Sequence, residues 1–254
     1  MASPSSPGEP LLVVDNVHIV YRVWGATTKR GDRTMLQRLR LKSSELEIKQ
    51  VHAVRGVSLV ARRGEAIGLI GSNGSGKSTL LNSIAGALPA TQGGIYCNSR
   101  PTLLGVNAAL LDNLTGERNV VLGCLAMGMK PSEIEDKYED IVEFSGVGEF
   151  INLPMKAYSS GMAARLRFAI GAAFSPEVLL IDEALSTGDA QFARKSRQRI
   201  QELQDGAGVV FLVHHSTAEI RANCTRAIWL QNGIAVMDGD VDEVTAAYEE
   251  SIGA

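Results

Sequence analysis

The chain of 254 residues lacks the features that mark several protein classes. It holds three cysteines, Cys97, Cys124 and Cys224, far apart in sequence. An odd count with no close pair argues against a disulfide framework or a cysteine-held metal, and fits free, mostly buried thiols in a reducing compartment. No apolar run approaches the roughly 20 residues that a helix needs to cross a bilayer. The opening residues, Met1-Ala2-Ser3-Pro4-Ser5-Ser6-Pro7-Gly8, have neither a basic start nor an apolar block. They are no secretion signal and read as a disordered leader over residues 1–10. A large charge of one sign is missing too. The net charge of −3 argues against a nucleic-acid binder that relies on overall basicity. No repeat period appears. With 45% of its residues hydrophobic, the chain is long enough for a full core and one large domain, or one domain plus a lobe.

Against that background one segment stands out. Gly71-Ser72-Asn73-Gly74-Ser75-Gly76-Lys77-Ser78-Thr79 follows the apolar run Ala66–Ile70 and precedes Leu80–Ala85. Strand, glycine-rich loop and helix in that order form the setting of a phosphate-binding loop. The glycines let successive N–H groups turn inward toward a phosphate, and the helix N-terminus adds partial positive charge there. Lys77 can reach the terminal phosphates, and the Ser78 hydroxyl can hold Mg²⁺. A glycine-rich turn that merely happens to precede Lys-Ser does not account for the full spacing and both flanks. The chain is expected to bind a nucleoside triphosphate.

Three further segments carry chemistry. Val178–Ile181 is an apolar strand that ends in Asp182-Glu183, at the end of a parallel strand that faces a ligand crevice. Asp182 is placed to hold Mg²⁺, and Glu183 to polarise an attacking water. Tyr158-Ser159-Ser160-Gly161-Met162 precedes a strongly helical stretch, where Ser159, Ser160, Gly161 and Met162 could offer hydroxyl and N–H donors to an anion. Taken alone, that segment is an ordinary helix cap. Leu212-Val213-His214-His215-Ser216 ends another apolar strand with histidines, one of which can hydrogen-bond a terminal phosphate. No further ligands nearby suggest a histidine metal site.

The rest of the chain reads as a mixed α/β core at both ends with helices between. Strand character is expected over Leu11–Tyr21, Val51–Val60, Val178–Ile181, Val209–Val213, Ala227–Leu230 and Ile234–Met237, with Asn232-Gly233 as a hairpin turn. Helices are expected over Glu117–Met129 and Pro131–Phe144, the second with proline at its start. From Arg22 to Lys42 there are seven Lys or Arg and one acid, Asp32. Within that stretch Met35, Leu36 and Leu39 have helical spacing, a short apolar stripe suited to a partner groove or a headgroup boundary.

In this order, the pieces resemble the ATPase subunit of ABC transporters, over roughly Leu11 to the end. By that resemblance Gly71–Thr79 is the Walker A loop, Tyr158–Met162 the signature motif, and Val178–Glu183 the Walker B strand with Glu183 as catalytic glutamate. Ala184-Leu185-Ser186-Thr187-Gly188-Asp189 is similar to the D-loop and His215 to the switch histidine. Tyr21 matches the aromatic that stacks on adenine, with His52 as a second match. The general signature is Leu-Ser-Gly-Gly-Gln; the form here resembles that of polysaccharide exporters of O-antigen, capsule, teichoic acid and mycobacterial galactan. The Leu114-Thr115-Gly116 turn, Asn119-Val120 and the insertion between Tyr21 and Ala53 are similar to that group as well. One departure is the loop that joins core to helical lobe. The family has a glutamine there; this chain has none between Gln92 and Gln191, and Val106 or Asn107 falls nearest.

The resemblance implies a P-loop α/β core with an antiparallel β subdomain and an inserted helical subdomain at about 107–175, the whole spanning 11–254. It implies ATP and Mg²⁺ as ligands, a homodimer that sandwiches two ATP molecules head to tail, and a separate transmembrane permease subunit. It also implies a peripheral position on the cytoplasmic face of the inner membrane and a lipid-linked polysaccharide as cargo, galactan by overall similarity. No nucleic-acid partner and no C-terminal carbohydrate-binding domain are expected. The basic segment 29–42 is expected to touch the permease or the membrane. A soluble ABC ATPase not tied to transport is the alternative.

Overall fold

A computed structural model describes residues 8–25, 47–104, 110–182 and 190–253. The leader up to residue 7, the basic insertion at 26–46, the loop at 105–109 with Val106 and Asn107, and Glu183 with Ala184–Asp189 lie outside the described residues.

Two sheets form the frame. Strands β1 (Pro10–Gly25), β2 (Glu47–Arg62) and β4 (Gln92–Cys97) make an antiparallel sheet in the order β2-β1-β4. Its register pairs Val20 with His52, Tyr21 with Val51 and Leu12 with Cys97. The second sheet holds β3 (Ala66–Ile70), β5 (Thr102–Leu103), β6 (Val178–Ile181), β7 (Val209–Val213), β8 (Arg226–Gln231) and β9 (Ile234–Asp240). Its order is β5-β6-β7-β3-β8-β9, parallel throughout except for the β8–β9 hairpin. Asn232 and Gly233 turn that hairpin with φ of 51° and 83°, the paired positive values of a type I′ turn.

Both faces of β6 and β7 are covered, which is why these two central strands are apolar and buried at every position. Alternate residues go to opposite layers. Val178 and Leu180 of β6, with Val209, Phe211 and Val213 of β7, pack toward the antiparallel sheet and the helix α1 (Lys77–Ile84). Leu179, Ile181, Val210 and Leu212 point the other way, toward Phe168, Phe192, Leu203 and Ile220. That second layer draws on α5 (Ala190–Gly206), α6 (Thr217–Asn223) and α7 (Val241–Ile252). Each strand side chain so buried contributes about 1.5–3 kcal/mol relative to exposure.

Three helices surround a core of their own: α2 (Gly116–Ala126), α3 (Pro131–Ser145) and α4 (Ser160–Gly171). It is built from Val120, Cys124, Ile134, Ile141, Ile151, Leu166 and Ile170. Pro131 opens α3 at the position where a missing N–H costs nothing, and Gly146 ends it with φ of 62°. The loop before α2 is fastened by Asn119, whose fully buried amide accepts from the Leu111 N–H and donates to the carbonyls of Leu111, Leu114 and Thr115. Cys124 and Cys224 are buried free thiols and Cys97 is half-buried.

Candidate functional site: a phosphate loop facing a strand-end carboxylate

The loop after β3 is held open by its glycines. Gly71, Gly74 and Gly76 have φ of 141°, 80° and 105°, a region that L side chains rarely enter. Two of them are also crowded. A Cβ on Gly71 would run into the Leu230 carbonyl and the Ser75 hydroxyl; one on Gly76 would lie 2.5 Å from the Ala53 carbonyl oxygen. The β8–β9 turn braces the same loop from behind. The Gly233 N–H donates to the Ser75 carbonyl (2.9 Å), and the Arg55 N–H donates to the Gly233 carbonyl (2.7 Å). The loop therefore rests on a frame of β2, β8 and the hairpin tip.

Its open side faces a cavity of about 220 Å³ lined by Ala53, Asn73, Gly74, Gly76, Lys77, Ser78, Thr79, Asp182 and Val213. The Lys77 ammonium folds back and donates to the Gly71 and Ser72 carbonyls at 2.7 and 3.0 Å. This keeps a cation over the loop while its amides remain at the N-terminus of α1. Charge, helix dipole and N–H donors all favour a phosphate there. Asp182 reaches the cavity from the C-terminal end of β6, because β6 lies two strands from β3 in the parallel order. Hard oxygen donors, the Ser78 hydroxyl and the Asp182 carboxylate, thus line one pocket beside a phosphate cradle. That donor set fits a small hard cation such as Mg²⁺.

Asp182 also lines a second cavity, of about 530 Å³, with Arg197, Gln201, Gln204, His214, Glu219 and Asn223. His214 accepts the Ser216 N–H on Nδ1 (3.0 Å), and its ring stacks on His215 with centroids 4.7 Å apart. His215 is the exposed member of the pair. Glu183 lies outside the described residues.

The expected signature residues sit on the helical lobe. Ser159 is the N-cap of α4; its hydroxyl oxygen accepts the Met162 N–H (3.2 Å), which leaves its O–H free to donate outward. Ser160 and Gly161 start the helix and are exposed, and Met162 is half-buried. Neither Tyr21 nor His52 lines the phosphate cavity. Tyr21 is exposed on β1 beside Val23 and Val51, whereas a ring nitrogen of His52 lies 3.1 Å from one of His18. Sequence reasoning missed Ala53, Val213 and the hairpin tip as parts of the site's frame. Asn232-Gly233 was legible as a turn, but nothing in one dimension says what a turn leans on.

Comparison with known proteins identifies the family. The model of the ABC transporter family matches residues 54–186. A teichoic acids export ATP-binding protein of Staphylococcus haemolyticus is 42% identical over 198 residues, 78% of this chain and 75% of that protein. One of the same name from Shouchella clausii is 37% identical over 226 residues, 89% of this chain and 63% of its own length. Among solved structures, an ATP-binding subunit of an ABC transporter superposes with a TM-score of 0.68 at 22% identity, covering 94% of this chain and 93% of its own. A dimeric ATP-binding cassette in a post-hydrolysis state with ADP and phosphate superposes with a TM-score of 0.65 at 22% identity, covering 91% of this chain and 99% of its own. The chain belongs to the ABC transporter family as one of its ATPases, in the branch that includes the teichoic acid export proteins.

Proposed function

We propose that this ATPase drives export of a lipid-linked cell-surface polysaccharide, with teichoic acid as the favoured polymer class and galactan or O-antigen as the alternatives. The observation that carries the reading is the pairing of Gly74–Thr79 with Asp182 in one cavity, in a chain 42% identical to a named teichoic acids export protein.

Residue roles follow from chemistry. Lys77 and the loop amides hold the terminal phosphates, and Ser78 and Asp182 would hold Mg²⁺, which supplies charge neutralisation on the phosphate oxygens. Glu183 takes the proton of the attacking water, and His215 donates to the terminal phosphate. Tyr21 is the better adenine platform, since its ring is open beside apolar neighbours. The Ser159–Met162 end of α4 serves the nucleotide of a second copy, so two chains enclose two ATP molecules. Among the described residues no helix is long and apolar enough to cross a membrane; in this reading a separate membrane subunit supplies the path for the polymer. The lobe offers it a surface. Helix α2 buries Val120 and Cys124 on one side and exposes Val121, Leu122 and Leu125 on the other, next to exposed Leu111, Phe150 and Leu153. From Val120 to Ala126 the helix is thus apolar on its exposed side as well as its buried one, and an exposed apolar patch of that kind suits a partner. The protein then works at the cytoplasmic face of the inner membrane, and the basic segment 29–42 adds electrostatic contact with the permease or anionic headgroups.

The test is depletion of the protein in its host, followed by identification of the lipid-linked polymer retained on the inner side. Retained teichoic acid precursor supports the favoured class; retained galactan or O-antigen replaces the class and keeps the export reading. Export of every such polymer at the normal rate, with ATPase activity intact, refutes the transport role and leaves the soluble ATPase.

A further inference from the structure

Tyr158 stands one residue before the cap of α4, where the general family signature has leucine. Leucine cannot make the side-chain contacts found here. The Tyr158 hydroxyl donates to the Phe150 carbonyl (2.7 Å), and its ring meets Phe150 edge-on with centroids 6.4 Å apart. Its own N–H donates to the Met155 carbonyl (2.9 Å). On the far side lies Gly116, the first residue of α2, where an added Cβ would overlap the Tyr158 hydroxyl. Glycine is therefore needed at 116 for space, not for backbone freedom.

These contacts join the cap to a preassembled layer. The Met155 N–H donates to the Leu114 carbonyl, the Lys156 N–H to the Asp112 carbonyl, and the Gly116 N–H to the Leu153 carbonyl. Asn119 ties the same 111–115 loop to α2. The segment that leads in from the core and the segment that leads into Ser159 are thus laced together, and Tyr158 is the side chain at their junction. Burial raises its phenol above the ordinary tyrosine value, so the hydroxyl stays a donor over the working pH range.

We propose that Tyr158 is a positioning residue for the signature end of α4: its bond to the Phe150 carbonyl, in the space left by Gly116, sets where Ser159 and Ser160 are presented to the nucleotide of a second copy. The inference rests on the head-to-tail pairing proposed above. Losing one neutral hydrogen bond corresponds to roughly a fivefold change in an equilibrium, and a symmetric dimer uses the bond twice. Because the bond is made within each copy and exists in the monomer too, only its share in ordering Ser159 and Ser160 enters the dimer equilibrium, so the dimer dissociation constant should rise by up to roughly twenty- to thirtyfold.

The test measures ATP-dependent dimerisation of the full chain by sedimentation, together with ATP affinity of the monomer and melting temperature. Glu183→Gln is used as the background, so that the ATP-bound dimer accumulates. Tyr158→Phe and Gly116→Ala should each weaken dimerisation while monomer affinity for ATP stays unchanged. Ser145→Ala serves as a stability control; it removes the Ser145 hydroxyl's bonds to Val142 and Val147, elsewhere in the lobe. The control should lower the melting temperature without weakening the dimer. A Tyr158→Phe protein that dimerises like its parent, or a control that weakens the dimer equally at equal loss of stability, overturns the positioning role. A parent that does not dimerise with ATP at all overturns the pairing itself, and the inference with it.

Discussion

Gly233→Ala and Gly64→Ala make a matched pair that isolates how the β8–β9 turn supports the phosphate loop. Both glycines have nearly equal positive φ, 83° and 88°. Around Gly64 a Cβ would meet nothing within 4 Å; around Gly233 it would stand 2.6 Å from the Ala53 carbonyl oxygen. Both variants carry the left-handed strain of an L residue, about 1 kcal/mol. Only Gly233→Ala must also move the turn. That displacement puts at risk the two backbone bonds that join it to Ser75 and Arg55, each contributing about 1 kcal/mol. The expected losses are about 1 kcal/mol for Gly64→Ala and about 3 kcal/mol for Gly233→Ala, or roughly 3 °C and 10 °C in melting temperature for a chain of this size. The second variant should also bind ATP less tightly, because Ser75 and Gly76 move with the turn. If about 1.4 kcal/mol of the distortion reaches the loop, Kd rises tenfold. Thermal unfolding without nucleotide and titration with ATP below the melting range read the two effects separately. Equal melting shifts for the pair, or wild-type ATP affinity in Gly233→Ala, would falsify the bracing argument.

Other expectations are simpler. Lys77→Ala should weaken ATP binding at least tenfold by equilibrium titration, since charged hydrogen bonds contribute about 1.5–3 kcal/mol each. Glu183→Gln should bind ATP normally and turn it over very slowly in a single-turnover assay, because an amide is a far weaker base than a carboxylate. Burial pushes the Cys124 and Cys224 thiols up to about 11 and about 12, so at pH 8 alkylation of the folded protein should be confined to Cys97 by mass spectrometry. Arg221 and the Thr217 hydroxyl hold the Glu249 carboxyl below the ordinary carboxylate range. Its contribution is therefore complete above the unfolded-state value and lost as pH falls through the depressed one; Glu249→Gln should flatten the acid limb of the stability curve.

Much of this fold was legible because burial on two faces leaves a strong mark on sequence. Val178–Ile181 and Val209–Val213 were found with their observed ends, since a strand covered on both sides is apolar throughout and stops where it meets solvent or ligand. The strand Gln92–Cys97 was not foreseen. It lies at the sheet edge, pairs with β1 alone, and carries Gly93, Gly94 and an exposed Tyr96, so no alternation betrays it. The long helix Ala190–Gly206 is equally hard to read from sequence, its polar face being more conspicuous than its few buried residues. At the site, the loop residues that line the cavity beside Asp182 are near neighbours in the chain and could be read directly. Asp182 beside Lys77 depends on strand order, which only the fold supplies. Ala53 and Gly233 act through backbone atoms, for which side-chain identity gives little warning.

The lobe and the core are not independent supports for the two ends of this site. Helix α4 runs through both: Leu166, Ala169 and Ile170 pack in the lobe, while Phe168 and Ala172 pack in the core layer under Ile181 and Leu212. Phe144 of α3 contributes to both clusters. It stacks on Phe168 at 5.8 Å, meets Phe192 of α5 edge-on at 5.7 Å, and lies under the Arg199 guanidinium at 5.3 Å. Each such ring pair adds about 0.5–1.5 kcal/mol beyond area burial. A short helix, capped by Ser159 at one end and wedged among these rings at the other, is stiff along its axis. The orientation set at Phe168 is therefore carried to Ser159 and Ser160. Beneath the same rings lies the layer that ends in Ile181 and Asp182, so the carboxylate and the capped helix end share one packed foundation. A change at either end must be accommodated by repacking Phe144, Phe168 and Phe192 together, because a close-packed interior shifts between discrete arrangements rather than deforming continuously.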